Sequence, residues 1–206
     1  MYHPNYLEKV KKEVIALDKT QTNQSVAHRL DHILRVLSWA KLISAELVGN
    51  DEKVNLEILQ IAVWLHDVRQ PYNEKKSLHV QGSVVKSREI LESIGYPKEK
   101  IKRVLEVISQ HSSEVVNSPE TIEAKILYDA DKLDGFGAIG LARVFTLCGQ
   151  QGISIVDAVE WYKQKIAKAK PLLQTSIAKK IVEENEKYID SFFKQFEKEQ
   201  EFLKAI

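Results

Sequence analysis

Apolar residues along this chain recur mostly at three- and four-residue spacing rather than in alternation, and only eight Gly and five Pro punctuate them, so the pattern predicts an all-α protein. A first helix is expected from Tyr6 to Leu17 and a second from about Ala27 to Val48. The second turns Leu30, Ile33, Leu34, Leu37, Ala40 and Leu47 inward and stops at Gly49-Asn50. From Val54 to His66 the chain is apolar on most sides, which places that helix centrally, and Pro71 bars its continuation. Further helices are expected over His79 to Ile94, from Pro97 to His111, and through Ala124 to Asp131, the last opened by the hydroxyl of Ser118 before a proline. Three more follow: from Gly135 to Cys148, from Ile153 to Ala169, and a long charged amphipathic one from Ser176 to Leu203. No repeat, low-complexity tract or linker divides the 206 residues, so one domain covering 1-206 is preferred.

Composition narrows the function classes. With 30 Lys and Arg against 29 Asp and Glu, the chain gives no electrostatic reason to expect duplex nucleic acid or a membrane as partner. Any phosphate recognition must be local. The single Cys148 excludes an internal disulfide framework, and the N-terminus lacks the pattern of a secretory leader, so a cytoplasmic protein is expected.

The chemistry concentrates in four segments. His66-Asp67 ends the apolar helix, and two adjacent ligands on a helix point about 100° apart, so they can grip one cation only where the backbone turns. The alternative is a histidine favoured by the helix dipole beside an Asp that caps the next turn. His28 and His32 stand one helical turn apart, on one face opposite the fringe of the apolar stripe, as two ligands, one ligand and a supporting group, or a solvated pair. Asp129, Asp131 and Asp134 crowd two turns among Ile126, Leu127, Leu133 and Phe136, where burial and self-repulsion are costly without a cation; a solvated acidic patch is the competing reading. Ser109-Gln-His111 supplies a further imidazole.

Taken together, these elements resemble the HD-domain metal-dependent phosphohydrolases, whose signature is an isolated His, an adjacent His-Asp and a distant Asp. The matching residues are His32, His66-Asp67 in Ala62-Val-Trp-Leu-His-Asp-Val68, and Asp131 in Asp129-Ala-Asp-Lys-Leu-Asp-Gly-Phe-Gly137. His28, Gln110-His111-Ser112 and the run into Arg143 are similar to the small stand-alone bacterial members, and the likeness covers about 25-145, leaving C-terminal helices over about 153-204. The resemblance implies an HD-type helical bundle with a metal site in a core cleft, and His32, His66, Asp67 and Asp131 as ligands of one divalent ion. Two imidazoles and two carboxylates suit Mn, Fe, Ni, Co or Zn, with Mg less well matched. Such an ion would polarise a phosphoryl oxygen and lower the pKa of a water.

Relatives with two metals place further histidines between the doublet and the last Asp, where His79 and His111 stand; His79 could equally start a surface helix, and His111 could act as ligand, general acid or phosphate contact. Asp67, His111, Asp134 and Lys132 are the residues expected to take part in catalysis, and Arg69, Lys75, Lys76 and His28 those expected to touch substrate. Arg29-Leu30 and Val68-Arg69-Gln70-Pro71 depart from the subgroup beside the cavity, which weakens inference about substrate more than about metal. The leading reading is a phosphohydrolase acting on nucleotides, including cleavage of a nucleoside triphosphate to monophosphate and pyrophosphate. The alternatives are a dinuclear phosphodiesterase or di-iron oxygenase, and a non-catalytic ligand-binding module. The long last helix could mediate a homodimer, packing over the core being the simpler expectation.

Overall fold

The computed structural model of the chain describes residues 5-20, 28-69 and 76-204. Among them every regular element is helical: α1 (Tyr6–Thr20), α2 (Leu30–Gly49), α3 (Leu56–Leu65), α4 (Lys76–Ser93), α5 (Lys98–Ser109), α6 (Ile122–Leu133), α7 (Gly137–Gln150), α8 (Ile155–Ala169) and α9 (Ser176–Lys204), with a short 3-10 turn at Lys170–Leu172.

The most apolar helix is the central one. Ile58, Leu59, Ile61, Ala62, Val63, Trp64 and Leu65 of α3 are all buried, because α1, α2, α5 and α6 all pack against it. Asn55 caps its start by accepting a hydrogen bond from the Ile58 amide, while the Asn55 amide donates to Glu123 at the head of α6. At its other end, where the last carbonyls have no helical partner, Ser87 of α4 donates to the Leu65 carbonyl and Ser83 accepts from the Arg69 amide. Two serines of α4 thus hold the turn that carries His66 and Asp67.

The remaining helices extend one continuous apolar cluster from Val10 to Ile189. On α2 the buried stripe is Ile33, Val36, Ala40 and Ile43, with Leu30, Leu37 and Leu47 half-buried. Leu34, expected inward, is 47% exposed, since strict 3.6-residue periodicity carries the stripe through Val36 and Ile43 instead. Helix α2 also begins later than expected, so His28 lies ahead of it in a 3-10 turn, with its ring still against that of His32. The cap of α6 is Thr121, whose hydroxyl accepts from the Ala124 amide, rather than Ser118. The Glu120 amide is taken by Gln110, which ends the preceding loop one residue before that cap. Helix α4 starts at Lys76, three residues before the expected His79.

Helix α9 lies back over the core, burying Ala178, Val182 and Ile189 against α6 and α7. Its approach is pinned by Asp129, a fully buried carboxylate of α6 that accepts from the Gln174 amide at 2.9 Å and from both the amide and hydroxyl of Thr175 at 2.7 Å. One carboxylate thereby holds the two residues that lead into a 29-residue helix, and the Thr175 hydroxyl in turn accepts from the Ala178 amide in its first turn. Replacing Asp129 by Ala leaves three donors without that partner, two of them buried, and should cost about 2 kcal/mol or more. Urea unfolding should report this as a lower midpoint, with metal uptake per folded chain unchanged.

Candidate metal centre

His66 and His111 reach the site by the same local device. Each follows the last turn of a helix and folds its ring back so that Nδ1 donates to a helix-end carbonyl three residues earlier: Val63 at 2.8 Å for His66 and Ile108 at 2.7 Å for His111. That bond fixes the tautomer and aims Nε2, with its lone pair, away from the helix end. His32 is oriented by a different partner, its Nδ1 meeting Asp134 Oδ2 at 2.7 Å. Asp134 is in turn held by Arg35 Nε at 2.6 Å and Arg143 Nη1 at 2.9 Å, and Arg143 also donates to its carbonyl. All three carboxylates of the acidic segment therefore do different work. Asp129 anchors α9, Asp131 faces the imidazoles, and Asp134 braces His32.

The aimed atoms converge. His32 Nε2 and His66 Nε2 face one another at 3.3 Å with their other nitrogens already committed. Asp67 Oδ2 stands 3.6 Å from both, and Asp131 Oδ1 is 3.3 Å from His32 and 4.0 Å from His66. On the other side of the same carboxylate, Asp67 Oδ1 has no hydrogen-bond partner and lies 3.5 Å from His111 Nε2 and 3.9 Å from His79 Nε2. His32, His66 and Asp67 form one compact ligand group, and Asp67, His79 and His111 a second; all five are buried. Facing acceptors at such distances repel unless a positive charge sits among them, so the donor set fits a divalent cation. The doublet and His32 come together as expected, with Asp131 beside them, and His79 and His111 fall within the cluster rather than on the surface.

Protonation follows the same logic. Burial alone would lower the pKa of His32, but Asp131, Asp134 and Asp67 outweigh it and hold the imidazole at about 10. Burial pushes His66 down. Despite burial, Asp67 stays well below the usual carboxylate range because His66, His111 and His32 surround it, and Asp131 is lowered chiefly by His32. His28, ring to ring with His32 at 5.4 Å, is pushed by burial down to about 3.

A cavity of 430 Å³ opens from this cluster. Asp67, His79, His111, Asp131 and His28 form its inner wall, and Lys132, Arg143, Lys165 and Lys168 bring cations to its sides. Lys132 does not pair with Asp129 or Asp134; its ammonium sits over the Tyr128 ring, 3.1 Å from the centroid, and burial lowers it to about 8. Arg69 is exposed and lays its stem over Gly82, away from the cavity's described lining, because the turn after the doublet leads it outward. Lys75 lies outside the described residues, and Lys76 opens α4. Sequence reasoning missed Arg35, legible as one turn after His32, and the α8 residues Trp161, Lys165 and Lys168, whose shared helical face was the available signal.

A raised His32 pKa has a measurable consequence. In the metal-free protein His32 carries a proton at neutral pH, and that contribution to stability is complete below about 6.5 and lost as pH rises through about 10. A cation needs the same Nε2 lone pair, so Mn uptake near pH 7 should release about one proton and tighten as pH rises. Calorimetric titrations in two buffers of different ionisation enthalpy measure the release, and identical heats in both would contradict it.

The HD domain family model matches residues 29–135. The uncharacterised protein YpgQ of Bacillus subtilis strain 168 is 30% identical over 186 residues, covering 86% of this chain and 87% of that protein. A crystal structure of an HD-superfamily hydrolase from Bacillus thuringiensis superposes with a TM-score of 0.71 at 30% identity, covering 95% of this chain and 97% of that one. Bacillus subtilis YpgQ crystallised in complex with ADP gives 0.70 at 26% identity, over 94% and 97% of the two chains. With the ligand cluster and these relatives in agreement, the chain belongs to the HD-domain family and is a metal-dependent phosphohydrolase.

Proposed function

We propose that the protein hydrolyses nucleotides within a single folded domain, and that nucleoside triphosphates, cleaved to monophosphate and pyrophosphate, are its substrates. The observation that carries this reading is the polarity of the cavity: carboxylates and imidazoles at its inner end, lysines and an arginine along its walls. Such a gradient suits a polyanion that presents one phosphorus to the inner end and leaves its remaining charge on the cations. The ADP held by YpgQ supports a nucleotide in particular.

His32, His66, Asp67 and Asp131 are the residues that would hold the ion. A divalent ion there supplies electrophilic polarisation of a phosphoryl oxygen and acidification of water. The chain's own groups do the rest. Lys132 and Arg143 neutralise phosphate charge, and Arg143 couples that task to bracing Asp134. Asp134, with its oxygens taken by His32, Arg35 and Arg143, positions the His32 ring rather than meeting substrate. His111 contributes Nε2 at the cavity wall, as ligand or as phosphate contact, and His28 lines the same wall.

Protein loaded with Mn and offered nucleoside mono-, di- and triphosphates and cyclic dinucleotides should release pyrophosphate from triphosphates; an absence of cleavage of every one of these would overturn the reading. Asp67→Ala should keep the helical content and lower turnover by more than about a hundredfold, since losing a mere supporting contact to a ligand costs roughly 10- to 100-fold. Retained turnover would remove Asp67 from the machinery.

A dinuclear centre is the second reading, favoured by the shared carboxylate: Asp67 turns one oxygen to each ligand group. It suits phosphodiester cleavage, or oxygen chemistry were both ions iron. Metal analysis separates the two. Two ions per chain, falling to one in His79→Ala and His111→Ala, is the dinuclear result, and one ion untouched by either change is the mononuclear one.

A further inference from the structure

The cavity wall contributed by α8 lies beyond residues 29–135, the span matched by the family, and the ligand cluster makes no use of it. Trp161, Lys165 and Lys168 occur at i, i+4 and i+7, which puts them along one side of α8, and all three border the cavity. That orientation is mechanically set. Neighbouring Ala158, Val159 and Tyr162 are buried, and the Tyr162 hydroxyl donates to the Gly135 carbonyl at 3.0 Å. Gly135 ends the turn that follows Asp131 and Asp134. The absence of a side chain at Gly140 lets the pieces meet: a Cβ there would lie 2.2 Å from the Gly135 carbonyl oxygen and 2.9 Å from the Tyr162 hydroxyl.

Distances order the wall. A Cβ on Gly135 would stand 3.7 Å from the Lys165 ammonium, and that ammonium lies 5.2 Å from the centre of the Trp161 ring. Outward from Asp131, the surface therefore runs turn, cation, indole. Trp161 is only half-buried although apolar core adjoins it, so its ring forms cavity wall rather than filling the interior. A flat aromatic surface next to a cation, at the far end of a cavity whose inner end handles phosphorus, matches the two halves of a nucleotide.

We propose that this face of α8 is the specificity subsite, in which Trp161 stacks on the base of a nucleoside polyphosphate and Lys165 receives its phosphate chain. The proposal rests on the phosphohydrolase reading above for the identity of the reacting end. Base stacking is worth about 1–3 kcal/mol by alanine substitution, so Trp161→Ala should weaken nucleotide binding roughly tenfold or more.

The test is calorimetric titration of the full-length protein with ADP and with tripolyphosphate, which has charge and no base. In Trp161→Ala, ADP affinity should fall by about tenfold or more while tripolyphosphate affinity stays within about twofold. Trp161→Phe, which retains an aromatic face, should bind ADP nearly as wild type, and Lys165→Gln, a change at an exposed position, should weaken both ligands. In steady state the same Trp161→Ala change should raise KM for nucleoside triphosphates and leave kcat close to wild type. Equal ADP affinity in wild type, Trp161→Ala and Trp161→Phe overturns the proposal, as does a parallel loss of ADP and tripolyphosphate binding in Trp161→Ala. Wild-type protein that shows the binding pattern yet cleaves no nucleotide refutes the substrate reading alone and leaves the subsite standing.

Discussion

Two imidazoles that have each committed one nitrogen elsewhere are made to face each other at 3.3 Å, and a pair of carboxylates closes around them. Left without positive charge, that arrangement is repulsive at every contact. In the metal-free protein the proton on His32 supplies that charge, and the helical frame supplies the geometry. Carbonyls at helix ends do part of this: Val63 at the end of α3 and Ile108 at the end of α5 each accept from one ring and fix it. The third ring is fixed by Asp134, whose charge is matched by Arg35 and Arg143. Three of the imidazoles are thus oriented by contacts made before any ion arrives, which is the meaning of preorganisation at such a site.

Around that centre the division of labour among helices is clear. Helix α3, buried on all sides, contributes the doublet only because it stops; α4 supplies the serines that close the stop. Helix α6 contributes carboxylates in three directions, so that what the chain presents as a crowded acidic run is in space an anchor, a ligand and a brace. Its density of charge is tolerable because two of the three carboxylates are paid for by hydrogen bonds and only Asp131 lines the cavity. Among the described residues no helix is long and apolar enough to cross a membrane.

Much of this was legible in the sequence, for identifiable reasons. The helices were legible because 3.6-residue periodicity and the positions of Gly and Pro act locally, and errors fell where tertiary contacts move an end: α6 takes Thr121 as its cap because Gln110 claims the amide of Glu120. His66-Asp67 could be recognised because an adjacent pair of ligands makes sense only at a helix end. The partners His32 and Asp131 came from family likeness, since residues 34 and 64 positions from His66 and Asp67 leave no local trace of their meeting. Arg35 and Trp161 were missed because they act through groups far away in sequence. Arg69 packs over Gly82 of α4, a placement that its position next to the doublet in sequence does not reveal.

The Tyr162 hydroxyl on the Gly135 carbonyl has a further consequence for how such a protein diversifies. That polar bond, seated where Gly140 leaves room, joins the helix that shapes the outer cavity to the turn that shapes the inner one. The outward residues of α8 can then be exchanged without reworking the ligand cluster, provided that one hydroxyl and one glycine persist. If α8 selects the substrate as proposed, chemistry and selectivity are separable parts joined at that contact, and new substrates become accessible by changing a helix surface rather than a metal site.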